Sequence, residues 1–122
     1  MRFFRCNHHA VIQACISTSG KAPSDTPKEE LIANTVDAAI EKHVPVIAQE
    51  GNTVTVTVGS VLHPMTEEHY IPFIALETAQ GLQVKNLKPG MKPVAVFALA
   101  DGDEPVAAYE YCNLHGLWKA EV

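Results

Sequence analysis

The sequence TVTVTV at residues 53–58 alternates valine with threonine without a break. Side chains of a strand point alternately to the two faces of its sheet, so the valines share one face and the threonines the other. Turn-forming residues Glu50, Gly51 and Asn52 come directly before this stretch. The stretch therefore predicts a strand with one face in a core and the other toward solvent.

Further strands are predicted on both sides of residues 53–58. Pro45 disfavours helix at Val44, so we expect extended backbone from about there. Pro72 confines part of a later strand to a sheet edge or a bulge. About seven short strands, with turn signals at intervals of about 8–12 residues, are typical of an antiparallel β-sandwich. The later strands are predicted over residues 69–76, 82–87, 94–100, 106–111 and 117–122, and the third of these, apolar on both faces, is expected to be a buried central strand.

Two short helical signals precede these strands. Thr26 is followed by Pro27, and Glu29 lies three residues after Thr26, which is typical of a capped helix N-terminus. A second helix of one or two turns is predicted over residues 38–42. We therefore expect an all-β domain preceded by an N-terminal appendage that contains a little helix.

The composition excludes several classes of function. The net charge of −5 opposes binding to phosphate backbones, so no nucleic-acid partner is expected. No apolar run approaches the roughly 18 residues of a membrane span, and the first residues lack the apolar core of a secretion signal. Three cysteines cannot all pair, which favours a reducing compartment. We expect a cytoplasmic protein with no membrane segment.

Five metal-ligating side chains fall at the ends of predicted strands or in loops. Cys112 and His115 are separated by two residues, so they can reach one metal ion from a tight turn that Gly116 permits. A sandwich brings the loops at one end together, so the loops that carry the other candidates can meet this turn. Those candidates are His43, His63 and His69.

The donor set indicates which metal these residues suit. Each histidine alone is more often a solvated or hydrogen-bonded residue, and Cys112 alone a buried apolar thiol. Structural zinc takes four ligands, and blue copper takes an axial methionine, which does not follow Cys112 here. Four nitrogens in a plane with a thiolate on one axis leave a sixth position open. That arrangement suits iron in inner-sphere redox chemistry, where the thiolate donates electron density.

The segments around these candidates closely resemble the desulfoferrodoxin and neelaredoxin family of superoxide reductases. They are EKHVP at 41–45, HPM at 63–65, EHYI at 68–71 and CNLHG at 112–116, together with NTVDAA at 34–39 and KPG at 88–90. The resemblance runs from about residue 34 to residue 118 and implies an immunoglobulin-like sandwich with one non-haem iron (Fe2+/Fe3+) per chain. It implies Cys112 as the axial ligand and four equatorial ligands, His43, His63, His69 and His115.

The resemblance also implies an activity, the one-electron reduction of superoxide to hydrogen peroxide without dismutation. An external donor such as rubredoxin would supply the electron, and a homodimer is expected by analogy. Lys42 would attract the anion and orient a proton-delivering water, and Glu41 would take the sixth position of the ferric resting state. From the residues alone, solvated loop charges are the commoner interpretation of Glu41 and Lys42. The alternative function is a non-catalytic metal-binding or electron-transfer module.

Residues 1–33 resemble the family's small rubredoxin-like appendage but depart from its pattern. That appendage carries a Cys-x-x-Cys motif and a later Cys-Cys pair. Here His9 stands where the second cysteine belongs, and no Cys-Cys pair exists. We therefore expect a degenerate desulforedoxin-like appendage over 1–33 without its iron centre, and a superoxide reductase domain over 34–122. Four residues of the appendage either form a small metal knuckle or only pack: Cys6, His8, His9 and Cys15.

Overall fold

The computed structural model describes residues 1–6, 11–16 and 28–122. The chain divides into two compact units, Met1–Ile32 and Ala33–Val122. In the first unit, β1 (Arg2–Cys6) pairs antiparallel with both β2 (Ile12–Cys15) and β3 (Lys28–Leu31). The assignment of this unit as a degenerate appendage stays a prediction.

The helix predicted from Thr26 is wrong where the structure describes it. Lys28–Leu31 is a strand, and Thr26 and Pro27 lie outside the described residues. In the strand, Glu29 forms an ion pair with Arg5 and Glu30 forms one with Arg2, both arginines lying on β1. The local capping signal is weak compared with pairing to a neighbouring strand, so tertiary structure overrides it.

The first unit does not bring its two cysteines together. The β1–β2 register places Cys15 opposite Arg2, four residues along the strand from Cys6. At about 3.3 Å per residue the two cysteines lie roughly 13 Å apart along the sheet. One metal ion cannot bind both, so of the two alternatives for these residues the metal knuckle is excluded for this pair. His8 and His9, which belong to the same prediction, lie outside the described residues.

The second unit is the predicted sandwich of seven antiparallel strands. One sheet contains β4 (Pro45–Glu50), β5 (Thr53–Val58) and β8 (Val94–Ala98), in the order β4-β5-β8. The other contains β6 (Phe73–Thr78), β7 (Gly81–Asn86), β9 (Pro105–Cys112) and β10 (Gly116–Glu121), in the order β10-β9-β6-β7. The first, second and fifth strands thus face the remaining four, which is an immunoglobulin-like arrangement.

The alternation at residues 53–58 does what the pattern predicts. Val54, Val56 and Val58 are fully buried in the core, whereas the threonines between them lie on the outer face. Each buried valine side chain contributes about 1.5 kcal/mol or more. Opposite them, the core takes Ile74 and Leu76 from β6 and ends at Cys112 of β9. The thiol of Cys112, the last residue of β9, therefore lies in the core.

Two strand predictions need correction. Residues 94–100 are not a buried central strand, because β8 pairs with β5 alone and lies at a sheet edge. Its side chains alternate between buried and exposed, with Phe97 buried and Val96 54% exposed. The outer face of the strand is therefore apolar but not covered by other residues of its unit. The strand predicted over 69–76 begins only at Phe73, because His69 and the residues up to Pro72 form a loop.

A short helix, α1 (Ile40–His43), follows the N-terminal unit in the sequence and precedes β4. It confirms the helix of one or two turns expected near residues 38–42, although it begins two residues later. It ends at Val44, whose φ of −67° and ψ of 123° are extended, because Pro45 follows. Among the described residues no helix is long and apolar enough to cross a membrane.

Candidate metal centre

His43 is the last residue of α1, and its ring is held on two sides. The Nδ1–H donates to the carbonyl of Ala39 at 2.7 Å, because a carbonyl can only accept. The indole of Trp118 stacks on the ring with centroids 4.9 Å apart and planes 26° apart. These contacts fix the ring so that Nε2 faces His115, whose Nδ1 lies 3.2 Å away.

His63 is held in the same manner from another loop. Its backbone N–H donates to Val58 of β5 at 2.9 Å, and its Nδ1–H donates to the carbonyl of Pro64 at 2.7 Å. The opposite nitrogen, Nε2, is buried and has no hydrogen-bond partner among the described residues. Metal-bound histidines commonly donate their other N–H to a backbone carbonyl, and His43 and His63 both do so.

His69 lies in the loop before β6, which is held by hydrogen bonds between Thr66 and His69. Thr66 N–H donates to the carbonyl of His69 at 2.9 Å, and the His69 N–H donates to Thr66 Oγ1 at 3.1 Å. Its Nε2 is buried and, within the described part of the chain, has no partner. Two buried imidazole nitrogens therefore lack the partner that burial normally requires.

Cys112 and His115 occupy the β9–β10 hairpin. Cys112 pairs with Gly116, whose φ of +80° is the left-handed conformation that closes the turn. Cys112 Sγ lies 3.7 Å from His115 Nδ1. The hairpin thus presents a sulfur from the core side and a nitrogen from the solvent side.

Asn113 ties this hairpin to the loop of His69. Its Nδ2 donates to the carbonyl of Glu68 at 3.0 Å, and its Oδ1 accepts from the N–H of Tyr70 at the same distance. Its own N–H donates to the carbonyl of Tyr70 at 3.2 Å. Asn113 lies inside the CNLHG segment, but the sequence does not show that its side chain binds the distant backbone groups of Glu68 and Tyr70.

Trp118 links two other candidate ligands, because it stacks on His43 and its Nε1–H donates to the His115 carbonyl at 3.1 Å. Nor does the sequence show that Trp118 stacks on the distant ring of His43.

All five predicted ligands meet at one place. The ligand atoms of His43, His69, Cys112 and His115 lie within 4.8 Å of one another. The fifth, His63, has its ring centroid 4.8 Å from that of His43 and 4.5 Å from that of His69. Metal–nitrogen bonds of about 2.1 Å, as in zinc sites, place neighbouring ligand nitrogens about 3 Å apart. The 3.2 Å between His43 and His115 matches that spacing.

Burial controls the protonation of the cluster. It lowers the pKa of His63 to about 4, and it is the main cause of the lowered pKa values of His43 and His69. Burial also raises the pKa of the Cys112 thiol, although the N–H groups of Leu114 and His115 act in the opposite direction. The imidazoles of His43, His63 and His69 are thus neutral at pH 7, the form that binds metal, and a cation would compensate the buried sulfur when it ionises.

These observations fit a bound metal ion. The Nε2 atoms of His63 and His69 have no other partner among the described residues, and the buried Cys112 sulfur lies beside them as a further donor. Five donors exceed the four that zinc takes in a structural site, and a thiolate with four imidazoles suits a redox metal such as iron. The residues present could therefore hold one metal ion, and their donor set suits iron.

Glu41 and Lys42 precede His43 on α1, and both are exposed. The charge of Lys42 adds to the lowering of the pKa values of His43 and His69, although less than burial does. Glu41 acts on the pKa of His43 in the opposite direction. The two charges therefore lie at the rim of the cluster, on the side away from the core.

A sequence model of the Desulfoferrodoxin family matches residues 35–121. The chain belongs to the desulfoferrodoxin family. A desulfoferrodoxin of Clostridium acetobutylicum is 49% identical over 96 residues, which cover 79% of this chain and 74% of that protein. The superoxide reductase of Treponema pallidum has a similar fold, with a TM-score of 0.79, 38% identity and coverage of 98% of both chains. A superoxide reductase (1Fe-SOR) of Giardia intestinalis gives a TM-score of 0.59 at 36% identity, covering 67% of this chain and 97% of that one.

Proposed function

We propose that the chain is a superoxide reductase in which four histidines and Cys112 hold one non-haem iron ion. The observation that carries the proposal is the convergence of these five side chains in a member of the desulfoferrodoxin family. Relatives of the chain bear the name superoxide reductase. When bound, the iron cycles between Fe2+ and Fe3+ and supplies the electron that, with two protons, converts superoxide into hydrogen peroxide.

The burial of the ligands indicates from which side the anion arrives. Cys112 is fully buried in the sandwich core, whereas His69 and His115 are partly exposed. Superoxide is therefore expected to approach over the imidazoles, opposite the sulfur. The core excludes water from the sulfur, which strengthens its electrostatic interaction with a bound cation.

Lys42 supplies the local positive charge at that entrance. The chain as a whole carries −5, so its overall field repels superoxide, and attraction must come from a nearby cation. The exposed Lys42 side chain is suited to attract the anion and to orient a water that delivers a proton. Glu41, exposed on the same turn, is proposed as a carboxylate that would bind the iron in its oxidised form.

An electron donor and a second copy of the chain complete the proposal. Reduction of superoxide consumes one electron per turnover, so a donor such as rubredoxin must restore Fe2+. The homodimer is supported by the outer face of the β4-β5-β8 sheet, where Val46 and Val94 flank Thr57, and Ala48 and Val96 flank Thr55. The charged Glu50, opposite Thr53, lies at one end of this face.

The test is a pulse of superoxide delivered to the iron-loaded, reduced protein. One hydrogen peroxide per superoxide, with no oxygen released, is expected. In Lys42→Ala the second-order rate constant should fall by about tenfold or more and lose most of its salt dependence, because the local cation is gone. Lys85→Ala, which removes an exposed lysine of β7, is the matched control and should change the rate little. Iron-loaded protein that forms no peroxide would instead indicate the non-catalytic metal-binding module.

A further inference from the structure

The turn between β5 and His63 contacts the backbone of the stretch that carries Glu41, Lys42 and His43. This turn, residues 59–62, begins with Gly59. A Cβ at position 59 would lie 2.6 Å from the carbonyl oxygen of Glu41 and 3.0 Å from the carbonyl carbon of Lys42. It would also lie 3.1 Å from the carbonyl oxygen of Val44. All three atoms are backbone, so no side-chain rotation can relieve the contact.

The same turn forms hydrogen bonds to the end of α1. The carbonyl of Glu41 accepts the N–H of Val61 at 2.9 Å and the hydroxyl of Ser60 at 3.3 Å. The last carbonyls of a helix have no partner within the helix, and α1 has only one turn to hold itself in place. The 59–62 turn therefore provides a support that α1 cannot provide for itself.

The turn also connects two candidate ligands. It leads directly into His63, whose N–H returns to the carbonyl of Val58 at 2.9 Å. His43 lies in the stretch that Gly59 contacts, and the two imidazole rings are 4.8 Å apart. A shift of the turn relative to α1 would therefore change the spacing of these two rings. It would also move the backbone that carries the Lys42 side chain.

We propose that the 59–62 turn is the element that sets His43 and Lys42 in register with His63, with Gly59 and Ser60 as its positioning residues. Gly59 acts by allowing two backbones to approach, and Ser60 acts by fixing the Glu41 carbonyl. Neither side chain needs to touch the metal or the anion. The role of Lys42 in this inference rests on the proposed function, whereas the spacing of His43 and His63 depends on the ligand cluster alone.

The test compares Gly59→Ala with Gly81→Ala, and Gly81 is a matched control because a Cβ there meets nothing within 4 Å. The metal-free proteins are titrated with Co2+, which needs no reductant and whose visible spectrum reports its coordination. We expect the dissociation constant of Gly59→Ala to rise by about tenfold or more, as for lost supports of metal ligands, with a changed spectrum. Gly81→Ala should bind as the wild type does. A Gly59→Ala protein that folds and binds Co2+ with the wild-type constant and spectrum would overturn the proposal.

Ser60 keeps the proposal testable if Gly59→Ala does not fold. Ser60→Ala removes one hydrogen bond from an exposed residue, so its melting temperature should stay near the wild-type value. Its Co2+ dissociation constant should rise by about threefold, and Ser60→Thr, which keeps the hydroxyl, should restore it. Wild-type binding by Ser60→Ala, or an equal loss in Ser60→Thr, would overturn the role of Ser60. The Co2+ readout involves no superoxide, so failure of the peroxide assay and failure of this proposal remain distinguishable.

Discussion

The two units of the chain use the same kinds of side chain with opposite results. In the second unit, four histidines and Cys112 come from four separate segments and meet within a few ångströms. In the first unit, Cys6 and Cys15 lie on paired strands, yet the register separates them by four residues. The candidate ligands of the first unit are closer together in sequence, whereas those of the second unit are closer together in space. Strand register and loop packing decide whether candidate ligands form a site, and residue type alone does not.

The largest difference between the two units is expected when one cysteine is removed from each. Cys112→Ser should abolish the sulfur-to-iron absorption of the oxidised protein and reduce the iron retained per chain, because the buried sulfur is lost. Cys15→Ser should leave both unchanged. The measurements are iron content and the visible spectrum after oxidation. Loss of iron or colour in Cys15→Ser would show that the first unit also holds metal and that the contrast is wrong.

A smaller effect is expected from the support of the hairpin. Asn113→Ala removes two side-chain hydrogen bonds to the loop of His69, so that ring should lose its fixed orientation. Loss of such outer contacts typically costs 10–100-fold in metal affinity, and we expect a loss of roughly that size. Asn52→Ala, which removes a bond to Asp101 in a loop outside the cluster, is the control. Equal affinities of the two variants for Co2+ would contradict the supporting role of Asn113.

The smallest effect is predicted for a buried group beside the cluster. Glu110 is fully buried with no partner among the described residues, and burial raises its pKa well above the usual value. Between the ordinary carboxyl pKa and this raised value, the unfolded chain binds fewer protons than the native one. Stability therefore falls as pH rises, by at most about 1.4 kcal/mol per pH unit.

Glu110→Gln removes that titration, so the metal-free variant should gain stability relative to the wild type as pH increases from about 5 to 8. Denaturant unfolding of both proteins at several pH values measures the difference. A difference that is constant with pH, or that shrinks as pH rises, would show that Glu110 is not a neutral buried acid in the native state.

The sequence predicts well what depends on local pattern. The alternation at residues 53–58 identified β5 and its buried face, and the Cys-x-x-His spacing correctly placed Cys112 and His115 in one tight turn. Pro45 correctly predicted the end of α1. In these cases the residues that carry the signal are also the residues that form the structure.

The sequence predicts poorly what depends on a distant partner. The helix expected from Thr26 fails because β3 pairs with β1, which the capping pattern does not reveal. The apolar run at 94–100 does not show that β8 has a neighbour on one side alone. Asn113 belongs to the CNLHG motif, but the motif does not reveal its bonds to the distant residues Glu68 and Tyr70. No local motif marks the stacking of Trp118 on His43 or the close approach of Gly59 to the backbone of residues 41–44.

We propose above that the five side chains of the second unit hold one iron ion. The most direct measurement is an anaerobic Fe2+ titration of the metal-free protein, followed by oxidation, with metal content and the visible spectrum recorded at each stage. We predict one iron per chain, almost colourless when reduced, with an absorption band in the red region after oxidation. Two irons per chain, or stoichiometric zinc with no colour that depends on oxidation, would contradict the account.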